Sequence, residues 1–170
     1  MRARRLAGLV VLAVAMAGAA CPGDGPSNLT ARERALVDWW LICFECETAL
    51  DSVRALGARA PATVDSLNTA LRHGPPPAQV AAADSVLGIA YARDSTWRVH
   101  KLLPIIEPRS TYVNRERERY KDGYRSRGAI GMGWIHSARA VQFLTAALSD
   151  SLPLSVRQAV IYARDSLPTQ

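Results

Sequence analysis

Residues 127–133 read Arg-Gly-Ala-Ile-Gly-Met-Gly, and residues 141–148 follow as Val-Gln-Phe-Leu-Thr-Ala-Ala-Leu. The same arrangement occurs earlier, where residues 50–57 end in Leu-Gly and residues 64–71 carry valine, leucine and an Ala-Leu pair at the same spacing. Each copy places apolar residues at helical intervals on both sides of a glycine. The pattern predicts two helical pairs, each joined by a tight turn at Gly57 or Gly133.

This pattern resembles the HEAT repeat, in which two antiparallel helices form a unit that stacks on its neighbours. A single helical pair cannot bury its apolar face alone, so stacked pairs share one core. The resemblance covers residues 47–74 and 122–167, and it implies an all-α fold over residues 30–168. That fold is a short superhelix of antiparallel hairpins with about six or seven helices; an irregular helical bundle is the alternative. The residues that match the repeat best are Arg125, Ala129, Met132, Gly133, Ile135, Ala140, Val141 and Leu144.

Capping residues predict where the first helices begin and end. Thr30, followed three residues later by Glu33, forms a capping box for a helix that opens at residue 31. Thr48 with Asp51 forms a second one, so we expect a break near residue 46 and a new helix. Glycine is a natural residue just after a helix, which places the end of the second helix at Gly57.

Proline and glycine also delimit the remaining helices. Pro61 suits the first turn of a third helix, and Gly74 suits its end. Further helices are predicted over residues 78–102, 112–132, 138–148 and 153–167, and no alternation typical of a strand is long enough to compete with them. In the first of these four, the residues predicted to be buried are Val80, Val86, Ile89, Ala90 and Trp97.

The first 20 residues have the plan of a secretory signal peptide. Residues 1–5 carry three arginines, residues 6–16 are apolar, and residues 17–20 are small. Cys21 stands where cleavage would fall and resembles the lipobox cysteine of bacterial lipoproteins, whose thiol is acylated. Residues 21–29 are then the lipidated cysteine and a flexible tether rich in Pro, Gly and Ser. Cleavage after Ala20 without lipidation is the alternative.

These features predict an exported protein that a lipid anchors to the bacterial envelope. By resemblance to lipoprotein sorting patterns, Pro22 after the cysteine favours the periplasmic side of the outer membrane. The formal net charge is +6, but Arg2, Arg4 and Arg5 lie in the leader, so the mature chain carries only +3. This charge is too small to indicate nucleic acid as a partner.

Cys43 and Cys46 form the only pair of cysteines besides Cys21. The first prediction is a local disulfide that closes the turn between the first two helices, and two buried free thiols are an alternative. A redox or metal-handling role is the third possibility, because CxxC pairs can hold reactive thiolates. No strand pattern surrounds this pair, and the scattered histidines do not complete a zinc site.

Residues 115–121 alternate in charge, with Arg115, Glu116, Glu118 and Arg119 spaced for ion pairs along a solvated helix. The functional interpretation is a basic, aromatic surface that could meet an acidic partner or anionic lipid. Its residues are Arg115, Arg119, Tyr120, Tyr124 and Arg127.

No nucleophile elbow, HExxH motif or phosphate-binding glycine loop occurs in the chain. The sequence therefore predicts no catalytic, metal or cofactor residues. We expect a non-enzymatic scaffold that binds another envelope protein, with a thiol-redox or metal-handling lipoprotein as the alternative.

Overall fold

The computed structural model describes residues 29–43, 47–59, 61–100 and 108–167. All regular secondary structure in these ranges is helical, which confirms the all-α fold class. The predicted signal peptide, Cys21, the tether up to residue 28 and Cys46 lie outside the described residues. The chain forms two compact units: one comprises Pro26–Pro75 and Glu118–Gln170, and the other includes Pro76–Arg117.

Seven helices lie within the described residues, in the order α1 to α7. The larger unit contains α1, α2, α3, α6 and α7, and the smaller contains α4; α5 runs through both. Their bounds are Ala31–Ile42 (α1), Glu47–Arg59 (α2), Ala62–His73 (α3), Pro77–His100 (α4), Arg109–Ile135 (α5), Ala138–Ala147 (α6) and Leu154–Asp165 (α7).

In the larger unit, helices pack both on their neighbours in sequence and on helices further along the chain. Helix α1 packs on α2 and α3, α2 on α3, α3 on α6, and α6 on α7. Each contributes an apolar stripe to one core, as the amphipathic patterns predict. The largest fully buried side chains are Val37, Val53, Leu56, Thr63, Val64, Leu67, Leu71, Met132, Leu144, Val156 and Val160.

Two of the predicted caps are present. Thr30 and Glu33 form the expected capping box: the Glu33 amide donates to Thr30 Oγ1 over 3.3 Å, and the Thr30 amide donates to Glu33 Oε2 over 2.9 Å. Gly74 ends α3 with a φ of 72°, a left-handed conformation that glycine adopts without a steric penalty. Helix α2 begins at Glu47, so Thr48 lies in its first turn rather than at its N-cap.

The predicted turns at Gly57 and Gly133 are wrong. Both glycines lie inside helices, since α2 continues to residue 59 and α5 to residue 135. They serve packing instead: Gly57 gives room to the Ile135 side chain, and a Cβ on Gly133 would lie 2.8 Å from the Ala163 carbonyl oxygen of α7. The left-handed residue that follows α5 is His136, with a φ of 53°.

The second half of α5 lies at the centre of the larger unit because its glycines let other helices approach closely. A Cβ on Gly128 would lie 2.7 Å from the Leu67 carbonyl oxygen of α3. A Cβ on Gly131 would lie 2.9 Å from the indole nitrogen of Trp40 on α1. Together with Gly133 against α7, these positions show that α5 is buried between three helices.

In the smaller unit, α4 packs on the first turns of α5 through polar and aromatic groups. Asp84, Gly88 and Tyr91 follow one another at helical spacing and face Arg117, Arg109 and Tyr112, respectively. The predicted burial of Val86 and Ile89, which lie on the opposite side of α4, is wrong: their exposed fractions are 41% and 72%. Val80 and Ala90 are half-buried, and the Trp97 side chain lies outside the described part.

Candidate interaction surfaces

Two arginines of α5 hold the ends of two other helices. The last carbonyls of a helix have no partner within it and need donors from elsewhere. Arg127 Nε donates to the Trp40 carbonyl at the end of α1 over 2.5 Å, and Arg125 Nε donates to the Leu71 carbonyl at the end of α3 over 2.8 Å. These two arginines therefore stabilise helix ends inside the larger unit.

Arg127 and Trp40 form a reciprocal clamp between α5 and α1. The Trp40 indole N–H donates to the Arg127 carbonyl over 3.1 Å, and the guanidinium carbon lies 3.8 Å from the centre of the Trp40 ring. This geometry combines two hydrogen bonds with a cation–π contact. Burial lowers the pKa of Arg127 to about 10, and the side chain stays charged at neutral pH.

Tyr124 and Tyr120 lie about one and two turns before Arg127 on α5. Tyr124 is buried, and its ring centre is 6.5 Å from that of the half-buried Tyr120. Burial raises the pKa of Tyr124 well above its usual value, and the negative charge of Asp38 and the Tyr120 phenol add to the shift. Partial burial likewise raises the pKa of Asp38, against the opposing charge of Arg34.

The free energy of unfolding of the wild type should fall above about pH 10, and Tyr124→Phe should make this fall smaller. A phenol whose pKa is raised by folding contributes its stabilisation fully below the unfolded pKa of 10.0 and loses it as the pH rises further. The measurement is the free energy of urea unfolding between about pH 9 and about pH 11. Tyr120→Phe should flatten the curve less, because burial alone raises the pKa of Tyr120. Parallel curves for wild type and Tyr124→Phe would contradict this prediction.

The structure separates the five residues of the predicted basic, aromatic surface. Tyr124 lies inside the larger unit and Arg127 is engaged with Trp40, so these two hold helices together. Arg115 and Arg119 are exposed and Tyr120 is half-buried. For these three, a role in binding stays a prediction.

The charged run has the ion pairs of a solvated helix face. Arg115 Nε lies 3.0 Å from Glu116 Oε1, and Lys121 Nζ lies 2.8 Å from Glu118 Oε1. One pair joins two helices: Arg117 binds Asp84 with two nitrogens, its Nε 2.7 Å from Oδ1 and its Nη2 2.7 Å from Oδ2. Two parallel contacts of this kind fix the orientation of both side chains.

Cys43 directly follows α1 and is disulfide-bonded. Cys46, its predicted partner, lies outside the described residues, so the pairing itself stays a prediction. Within the described ranges, no group of three or more His, Cys, Asp or Glu side chains is placed to hold a metal ion.

Two exposed apolar faces are the features that sequence reasoning missed. One is formed by Val86 and Ile89 on α4, and the other by Leu154, Ile161 and Tyr162 on α7. A helical wheel of α7 carries the signal for the second, since these three residues fall on the side opposite Val156 and Val160. None of the described helices combines the length and the hydropathy that a membrane span requires.

Comparison with known proteins gives no relative for this chain. No protein family matches it, and no curated protein or solved structure is significantly similar to it.

Proposed function

We propose that this protein is a non-enzymatic interaction module that a lipid on Cys21 holds at the bacterial cell envelope. Its α4–α5 arm, defined as α4 with residues 109–117 of α5, binds another envelope protein. The observation that carries this proposal is the exposure of Ile89, with 72% of its surface open to solvent, beside the exposed Val86. Neighbouring exposed apolar side chains commonly mark sites of protein contact.

The contacts within the arm leave the side chains of Val86 and Ile89 exposed. Among its described side chains, no apolar residue belongs to the buried core. Its helices are held instead by the Asp84–Arg117 pair and by Tyr91 against Tyr112, whose ring centres are 5.3 Å apart. Little apolar surface is buried among the described residues of the arm, so a partner that covers Val86 and Ile89 stabilises it.

Photo-crosslinking in cells tests whether the arm contacts another envelope protein. A photoreactive amino acid at Ile89 is expected to give a discrete adduct with an envelope protein, whereas the same group at the exposed Ala81 of α4 should not. The captured protein should then bind the purified chain, and Ile89→Asp should weaken that binding at least about tenfold, because a charge replaces an apolar contact. Equal labelling from both positions, or unchanged binding by Ile89→Asp, would overturn the proposal.

The intact mass of the natively expressed protein tests whether Cys21 carries a lipid. We expect the loss of residues 1–20 and a gain of acyl groups on Cys21, because the leader resembles a lipobox. Cys21→Ala should abolish the gain in mass and move the protein from the membrane fraction to the soluble fraction, since one acyl chain adds roughly 0.8 kcal/mol of membrane affinity for each buried methylene. An unmodified residue 21 in the wild type would remove the lipid from the proposed function.

A further inference from the structure

Helix α7 is apolar on two opposite sides. Its inner side places Val156, Val160 and Ala163 in the core of the larger unit. Its outer side carries Leu154 and Ile161, whose exposed fractions are 73% and 39%. A helix at the surface of a monomer normally has a polar outer side, and the end of a helical stack needs one for solubility. The outer side of α7 is therefore suited to being covered.

Two opposite charges lie at equal distances from Ile161 on this outer side. Arg157 lies four residues before Ile161, and Asp165 lies four residues after it, so all three fall on one stripe of the helix. Leu154 continues the stripe at the N-terminal end, and Tyr162, with 58% of its surface exposed, borders it. The stripe thus has an apolar centre with a cation on one flank and an anion on the other.

We propose that this outer side of α7 binds the same side of a second copy of the chain, with the two helices antiparallel about a two-fold axis at Ile161. Over residues 157–165, each residue then faces the one equally far from Ile161 in the other copy. Arg157 faces Asp165 of the second copy, and the reverse pair forms at the other end, as an isologous interface requires. A parallel arrangement would instead set Arg157 against Arg157.

The existing contacts of these charged groups are compatible with the pairing. Arg157 Nη2 donates to the Leu148 carbonyl over 3.2 Å, but a guanidinium has five N–H donors and can bind a carboxylate as well. Asp165 pairs with the adjacent Arg164 across an exposed contact of 2.7 Å. Exposed pairs of this kind contribute little, so Asp165 can exchange partners. A single helix pair is small for an interface, so we expect weak association.

Sedimentation equilibrium of the full-length chain, in a detergent matched to the solvent density, tests this proposal. The wild type should be in equilibrium between monomer and dimer at concentrations up to roughly 100 µM. Arg157→Asp and Asp165→Arg should each weaken the dimer at least about tenfold, because like charges then face each other. The double variant should recover the affinity to within about threefold, since the pairs are restored with reversed sign. Arg54→Asp, at an exposed position of α2, is the matched control and should leave the affinity unchanged.

The double variant separates pairing from a general loss of stability. Arg157→Asp also removes the donor to the Leu148 carbonyl, and Asp165→Arg does not replace it, so recovery can come only from the charge pair. A monomeric wild type, or a double variant as weak as the single ones, would overturn the proposal. Where a single variant fails to fold, cysteine crosslinking provides the test. Ile161→Cys should form a disulfide between two copies, whereas Ala146→Cys, at an exposed position of α6, should not. Equal crosslinking at both positions would indicate random collision and also overturn it.

Self-association through α7 and partner binding through the arm use different helices, so each can be tested without the other. A dimer without a crosslinked adduct at position 89 would contradict only the proposed function of the arm. An adduct without a dimer would contradict only self-association through α7.

Discussion

Gly128→Ala is expected to lower the free energy of unfolding by about 3 kcal/mol or more, an unusually large effect for one added methyl group. The methyl carbon would lie 2.7 Å from the Leu67 carbonyl oxygen and 2.9 Å from the Leu71 amide nitrogen. Both are backbone atoms inside α3, so no side chain can rotate to make room, and α3 and α5 must move apart. Urea unfolding followed by circular dichroism measures the change.

Helix propensity alone predicts the opposite sign for this substitution. Alanine is favoured over glycine inside a helix by about 1 kcal/mol, so Gly128→Ala would stabilise an isolated α5. Gly123→Ala is the matched control, because Gly123 lies on the same helix and is only half-buried. We expect it to be neutral or stabilising by up to about 1 kcal/mol. A Gly128→Ala variant as stable as Gly123→Ala would show that α3 does not approach α5 closely at this position.

The second large effect is expected for Arg127→Met, which keeps the aliphatic part of the side chain and removes the guanidinium. The Trp40 carbonyl at the end of α1 then loses its donor, and the Trp40 ring loses the cation stacked upon it. A hydrogen bond to a charged group contributes about 1.5–3 kcal/mol, and a cation–π contact about 0.5–2 kcal/mol. The variant no longer has to bury a charge, so we expect a net loss of about 2 kcal/mol.

Arg127→Lys distinguishes the clamp from a simple charge effect. Lysine keeps the charge but lacks the planar group that can stack on Trp40 and donate in the same direction. We therefore expect Arg127→Lys to be destabilised nearly as much as Arg127→Met in thermal unfolding. Full stability of the lysine variant would contradict the clamp. Arg119→Met, at an exposed position of the same helix, is the control and should change stability by less than about 0.5 kcal/mol.

Local signals in the sequence predicted most of the helices correctly. The capping box at Thr30 and Glu33 and the left-handed Gly74 both act within a few residues of chain, so they can be recognised without knowing the fold. The apolar spacing in residues 64–71 places Val64, Leu67 and Leu71 on one side of α3 for the same reason, and all three are buried. Such spacing identifies the apolar side of a helix wherever that side meets a core.

The same rules gave wrong predictions where another helix decided the outcome. Gly57 and Gly133 look like helix ends, because glycine is common there and the sequence gives no sign of a neighbouring backbone. Val86 and Ile89 have the spacing of a buried stripe, but α4 meets α5 through Asp84, Gly88 and Tyr91 instead. Periodicity shows which residues share a side of a helix, and it does not show which side is covered.

Capping and amphipathic periodicity are local properties of the chain, so they were enough to predict an all-helical protein, the start of α1 and the end of α3. That Tyr124 and Arg127 hold helices together, while Ile89 and Ile161 face solvent, is seen only in the folded chain. Burial depends on contacts between residues far apart in sequence. Arg127 meets Trp40 across 87 positions of the chain, and no local pattern records that meeting.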